Sequence, residues 1–238
     1  VTDQIDQIKV IKSAEEIKLI KRTAALQDAA MEHVRKSIRP GRRGFEILAE
    51  AQYSCVMQGS ERQLILVNSG PPRTQVPFQF RHFQNRMIQD GDQVSVLIEV
   101  NGPGGFYTEL GRVFSLGKPS QEMQDALGVA VEAQKISIKM LRPGANPKDI
   151  LEANNKFLEK KGYLPDRRLY AHGQGYDLVE RPLIRDDEPM RIQAGMNIVV
   201  HPAATNSTVW VVVCDNYLVT EAGAGPCIHK TPKEIIIV

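Results

Sequence analysis

The apolar positions of this chain change period several times, and each change marks an element. From Ser13 onward Ile17, Ile20 and Leu26 recur at helical spacing, and Ser13-Ala-Glu-Glu16 supplies the serine and glutamate of a capping box in front of them. Arg39-Pro40-Gly41 ends that helix, since proline cannot extend it and glycine tolerates a left-handed turn. A second helix runs to Gly59. Further on, a helix over Ser120 to Leu141 stops at Arg142-Pro143-Gly144. Asn146-Pro147 then opens another, with a side-chain cap and proline in the first turn, ending near Gly162. Strand patterns occupy 63–67, 93–100, 105–115, 197–203, 208–214 and 217–221, and Asp215-Asn216 reads as a two-residue hairpin turn between the last two.

These elements come in two matching sets. Arg39-Pro40-Gly41 recurs as Arg142-Pro143-Gly144, Ile47-Leu48 as Ile150-Leu151, and Gly59 as Gly162, all at one offset. Ile88-Gln89-Asp90-Gly91, followed by Val94 to Leu97, matches Ile192-Gln193-Ala194-Gly195, followed by Ile198 to His201. Two helix–helix–strands units predict an α+β domain, a curved antiparallel sheet covered by two helix pairs.

Composition narrows the classes. The 238 residues suffice for one large domain or two small ones, and 42% hydrophobic with 24% charged is an ordinary globular balance. A net charge of +2 without a block of like charges gives nucleic acid nothing to hold. The longest apolar runs, such as Val209 to Cys214, are of strand length, so no membrane partner is expected. Three cysteines at unrelated spacings (Cys55, Cys214, Cys227) fit reduced thiols, and a cytoplasmic enzyme or binding module is the expectation.

The candidate chemistry centres on Tyr170-Ala-His-Gly-Gln-Gly-Tyr-Asp-Leu-Val-Glu-Arg-Pro182. This stretch resembles the His-Gly-x-Gly…His-Glu-x-Pro segment of the pita-bread metallopeptidase superfamily, which includes methionine aminopeptidase, prolidase, aminopeptidase P and creatinase. The resemblance covers nearly the whole chain. It implies the pita-bread fold, with halves of about 13–117 and 118–238. Residues 1–12 are similar to the linker that joins an N-terminal domain to the catalytic domain in prolidase- and creatinase-like proteins, which implies such a domain in the full protein.

In the peptidases of that superfamily one His, two Asp and two Glu hold the metals. Matched residue by residue, His172 keeps the histidine place. Glu109, ahead of Arg112, takes the place of the second Asp. The first Asp has Glu99 as its nearest acid, about one residue off register, with Asn101 beside it. His201, in Gly195-Met-Asn-Ile-Val-Val-His-Pro202, replaces one Glu, and Cys214 replaces the other. The family's second His is Val179 here, while Glu180 is retained. A substrate-contacting His of the family has Gln79 as its best-aligned counterpart, with His82 and Arg81 close by.

Two bridging carboxylates are needed to neutralise a metal pair, so this replacement argues against a dinuclear centre. The echo of creatinase in Gly105-Phe-Tyr-Thr-Glu-Leu-Gly-Arg-Val113 implies a metal-free alternative. In it, the chain hydrolyses a C–N bond of a small polar metabolite without cofactor or metal. His172 shuttles the proton, His201 and Glu109 assist, and Glu99, Arg112, Glu180, Gln79 and His82 contact substrate. The alternatives are a peptidase-like metallohydrolase with an altered site, in which His172, His201, Cys214 and Glu109 keep one zinc, and a non-catalytic peptide- or protein-binding domain. A Cys214–His nucleophile pair is a further option. The resemblance also implies a homodimer.

Overall fold

The computed structural model describes residues 2–80 and 85–238. The helices are α1 (Thr2–Lys9), α2 (Ala14–Ser37), α3 (Gly44–Met57), α4 (Gln121–Met140) and α5 (Pro147–Lys160). The strands of the first half are β1 (Gln63–Gly70), β2 (Gln93–Asn101) and β3 (Tyr107–Ser115). Those of the second half are β4 (Ala171–Gly173), β5 (Glu180–Leu183), β6 (Asn197–Val200), β7 (Ala203–Thr205), β8 (Trp210–Val212), β9 (Asp215–Thr220), β10 (Gly223–Cys227) and β11 (Ile236–Ile237).

The helix starts follow the local chemistry. Ser13 accepts from the Glu16 N–H while Glu16 reaches back to Ser13, a complete capping box. Ser120 caps α4 and Asn146 caps α5, with Pro147 in its first turn. On α2 the residues Leu26, Ala30, Met31 and Val34 are buried and pack with α3, β1 and β2 into one core; a second core gathers Leu141, Ile150, Tyr170, Ile184, Ile198 and Val200. The segment before Ser13, expected only as a linker, carries α1, and Lys12 beyond it is buried against Glu180.

The internal repeat is visible in hydrogen bonds. Gly41 N–H donates to Ile88 carbonyl at 2.9 Å and Ile88 N–H to Arg42 at 2.8 Å. In the second half Gly144 N–H donates to Ile192 at 2.8 Å and Ile192 N–H to Ala145 at 3.1 Å. The same post-helical turn is clamped to the same pre-strand residue twice, so the two halves are one design used twice.

Three sheets result. One has the order β1-β2-β3-β11, antiparallel except for β11, which runs parallel to β3. The second has the order β10-β9-β6-β4-β5, and β7 pairs with β8 in a third. A bridge between Gly111 and Cys214 ties the first sheet to the second half, each N–H donating to the other's carbonyl at 3.2 Å. Gly111 is required there: a Cβ would stand 2.8 Å from Cys214 Cβ and 3.2 Å from the Phe78 ring.

The hairpin expected at Asp215-Asn216 is not formed. Both residues are fully buried at the start of β9, which pairs with β6 and β10 rather than with β8. The reason is polar: Asp215 is taken by Arg112 and Asn216 by Gln174, so neither side chain is left for a turn.

Candidate active site

Antiparallel pairing of β2 with β3 places Glu99 directly opposite Glu109. Directly paired residues of an antiparallel ladder share a face, so the two carboxyls meet although their offset in the linear match disagrees. From the other half, β4 brings His172 beside Val199 of β6, and His201 follows the end of β6, held by its N–H on the Tyr170 carbonyl at 2.7 Å. Gly173 makes room for this strand, because a Cβ there would meet the Arg181 carbonyl oxygen at 2.2 Å.

The four side chains are buried together. His172 Nε2 lies 3.8 Å from Glu109 Oε2, and the His172 and His201 rings meet edge to face at 5.6 Å between centroids. One donor atom from each of Glu109, His172 and His201 lies within 4.8 Å of the other two. His172 Nδ1 is committed to the Gly173 carbonyl at 2.8 Å, so Nε2 is the nitrogen that faces the cluster. His201 Nε2 is buried and, among the described residues, has no hydrogen-bond partner.

Electrostatics sorts the protons. Burial, with Glu109 next to it, holds Glu99 well above the usual carboxylate range. Burial also pushes Glu109 up, but the two histidines and hydrogen bonds from Cys214 and Glu99 outweigh it and leave Glu109 below that range. Of the two carboxyls, Glu99 is therefore the one that holds a proton more readily. Burial lowers both histidines, His201 to about 4, so both are neutral at neutral pH. Burial, with Glu109 beside it, raises the Cys214 thiol well above its ordinary value; it donates to Glu109 Oε1 at 3.0 Å. The thiol is hydrogen-bonded to Glu109 and not to a histidine, so it lacks the basic partner that a Cys–His pair needs.

A layer of amides supports the carboxyls. Gln174 Nε2 donates to Glu99 Oε1 at 2.8 Å, Asn216 Nδ2 donates to Gln174 Oε1 at 2.9 Å, and Asn197 Nδ2 holds the Gln174 carbonyl at 3.0 Å. Asn216 Oδ1 accepts from the Glu109 N–H at 2.8 Å. None of these three was singled out from sequence. Gln174 had one available signal, its place between the glycines of the His172 segment.

Other candidates lie apart. Arg112 was expected at the substrate, yet its guanidinium is buried against Asp215 and four backbone carbonyls, all within 2.9 Å. Glu180, expected likewise, is buried in an ion pair with Lys12 at 2.5 Å and also accepts from the Asp177 N–H. Asn101 caps the chain at Glu61 and Arg62. Gln79 is half-buried in the segment after β1, and His82 and Arg81 fall outside the described residues. His229, without pattern in the sequence, proves buried between Gln27 and Asp215.

The donor set decides which metal arrangement fits. Two ions need bridging carboxylates, whereas here two of the ligand places hold His201 and Cys214. One carboxylate with two imidazoles fits a single ion, and His201 Nε2, without a hydrogen-bond partner among the described residues, is free to join it.

Residues 18–221 match the model of metallopeptidase family M24. The chain is 26% identical over 242 residues to the Xaa-Pro dipeptidase of Pyrococcus furiosus, covering 99% of this chain and 68% of that one. It is 25% identical to the probable dipeptidase PepE of Mycobacterium tuberculosis, covering all of this chain and 63% of that protein. Among solved structures, the Xaa-Pro dipeptidase from Bacillus anthracis superposes with a TM-score of 0.86 at 26% identity, over 98% of this chain and 66% of that chain. The prolidase of Pyrococcus horikoshii reaches a TM-score of 0.90 at 24% identity, over 99% of this chain and 68% of that one. The chain thus spans about two thirds of the length of these relatives, and the pita-bread fold implied by the resemblance is the fold they share with it. No helix among the described residues is long and apolar enough to cross a membrane. By the family match over most of its length, the chain belongs to metallopeptidase family M24.

Proposed function

We propose that this domain hydrolyses an amide-type C–N bond in a small polar substrate, with Glu109, His172 and His201 at the reacting centre. The observation that carries this reading is the buried convergence of those three side chains, one donor atom from each within 4.8 Å of the others. Relatives named dipeptidase and Xaa-Pro dipeptidase support a peptide-type bond as the reacting group. The metal-free scheme implied by the creatinase echo gains no support from these relatives.

An ion held by Glu109, His172 and His201 would supply a Lewis acid and bring the pKa of a water toward neutrality. The chain's own residues handle the rest. Glu99 is the carboxyl of the pair that holds a proton more readily and is the group placed to pass it to a leaving nitrogen. Gln174 fixes Glu99, and the Cys214 thiol orients Glu109. Burial of the cluster excludes bulk water. Beside it lies a cleft of about 420 Å³ lined by Asn101, Tyr107, Tyr176 and Asp177. Asn101 and Tyr107 form the next same-face pair beyond Glu99 and Glu109, roughly 7 Å along the strands.

The test is an assay of the zinc-supplemented protein on Xaa-Pro and other dipeptides, small amides and ureides, with Glu99→Gln alongside. Turnover of at least one class is expected, and the variant should lose about a hundred- to ten-thousand-fold in kcat with folding unchanged. Ligand binding without turnover of any class would contradict the reading in favour of a binding domain. A variant within a few-fold of wild type would remove Glu99 from the proton path.

A further inference from the structure

We infer that this chain binds one zinc-class ion in an open, three-ligand site made by Glu109, His172 and His201, and has no place for a second ion. The inference deepens the proposed hydrolytic reading and rests on it for its function.

Ligand spacing is the first support. Bonds of about 2 Å in a tetrahedral site separate ligand atoms by roughly 3.3 Å. His172 Nε2 and Glu109 Oε2 are 3.8 Å apart, so capture of an ion requires them to close by only about half an ångström. Two imidazoles and one carboxylate form a borderline donor set, which suits zinc and is a poor match for calcium or magnesium.

The surroundings are the second support. A metal-bound histidine donates its other ring N–H to a carbonyl or carboxylate, and His172 Nδ1 lies 2.8 Å from the Gly173 carbonyl oxygen. Cys214 donates to the Glu109 oxygen that His172 does not face. That thiol is outside the three-residue group, so the fourth ligand position is open, as in a reactive zinc site and unlike a structural one.

Among the described residues a second ion finds no free set of ligands. Glu99 is held by the Gln174 amide at 2.8 Å. Asp215, the residue after Cys214, turns to Arg112 at 2.7 Å and Lys233 at 3.5 Å. The same two cations spoil the other three-donor group among the described residues, Asp215, Cys227 and His229, because its only carboxylate is already balanced.

Chelator-dialysed protein is titrated with zinc in a calorimeter, and metal content is measured by mass spectrometry after purification without chelator. One ion per chain is expected in both. His201→Ala and Glu109→Gln should each weaken zinc binding by more than about a hundredfold, while Cys214→Ser costs at most about that much and His229→Ala leaves the stoichiometry at one. Cobalt added to the apo wild type should give the intense visible band of a four-coordinate ion, a result that needs no variant to fold. Two ions per chain, no zinc binding, or no visible band with cobalt each overturn the inference, as does unchanged affinity in His201→Ala. One ion without turnover leaves the site standing and removes the hydrolase reading. Turnover by demonstrably metal-free protein does the opposite.

Discussion

Replacing Arg112 with methionine should cost about 3–5 kcal/mol of stability, the usual range for breaking a buried ion pair from one side. The side chain is 1% exposed. Its Nη2 donates to Asp215 at 2.7 Å and to the Thr231 carbonyl at 2.7 Å, its Nε to Pro232 at 2.8 Å, and its Nη1 to Gly111 and Cys214 at 2.8 and 2.9 Å. Methionine fills much of the volume but leaves a buried carboxylate and four carbonyls without this donor. Asp215 keeps Gln134 at 3.1 Å and Lys233 at 3.5 Å, which limits the loss and argues against a larger figure. For a chain of this size each kcal/mol moves Tm by about 2–4 °C, so a drop of roughly 6–20 °C is expected. Scanning calorimetry and urea titration at neutral pH measure it, and the C-terminal segment through Thr231 and Pro232 should lose hydrogen-exchange protection first. A loss below about 1 kcal/mol with an altered KM would refute the structural assignment and return Arg112 to the substrate.

Stability should also fall as pH drops from about 6.5 to about 4. Burial, with Arg112 and Lys233 against the pull of Asp215, holds His229 near 4 in the fold, so the unfolded chain takes up a proton that the native chain refuses. The loss is on the order of a few kcal/mol, complete below the folded value and absent above the unfolded one. His229→Gln should flatten the urea-midpoint profile across that window; an unchanged slope contradicts the assignment. Gly173→Ala should disturb both β4 and His172, because the new methyl meets the Arg181 carbonyl oxygen at 2.2 Å. Its Tm should drop by more than about 5 °C with weakened zinc binding, and a wild-type melting curve would show that the strands can part without cost.

Much of the frame was legible from local rules. Ser13 and Asn146 cap their helices as read, and the twofold Arg-Pro-Gly landmarks correspond to one clamped turn made twice. His172 and Glu109 stood out because each sits in a motif whose spacing is preserved. Glu99 was harder: a match along the chain puts it out of step, whereas strand pairing, a long-range property, sets it opposite Glu109. Arg112 and Glu180 were misread for the same reason. A charged residue near a motif looks like a substrate contact until its buried partner, Asp215 or Lys12, more than a hundred residues away in sequence, is known. The Asp215-Asn216 pair has turn-forming residue types, but burial and side-chain partners overrode local propensity. The amides of Gln174, Asn197 and Asn216 carry no sequence signal beyond their type, since what makes them a layer is convergence in space.

The most direct test of the central claim is anomalous diffraction at the zinc edge from crystals grown with zinc. The account predicts one peak, within bonding distance of a Glu109 oxygen, His172 Nε2 and His201, with the fourth position facing the cluster interior. Two peaks, or a single peak elsewhere with none between these three residues, would contradict it.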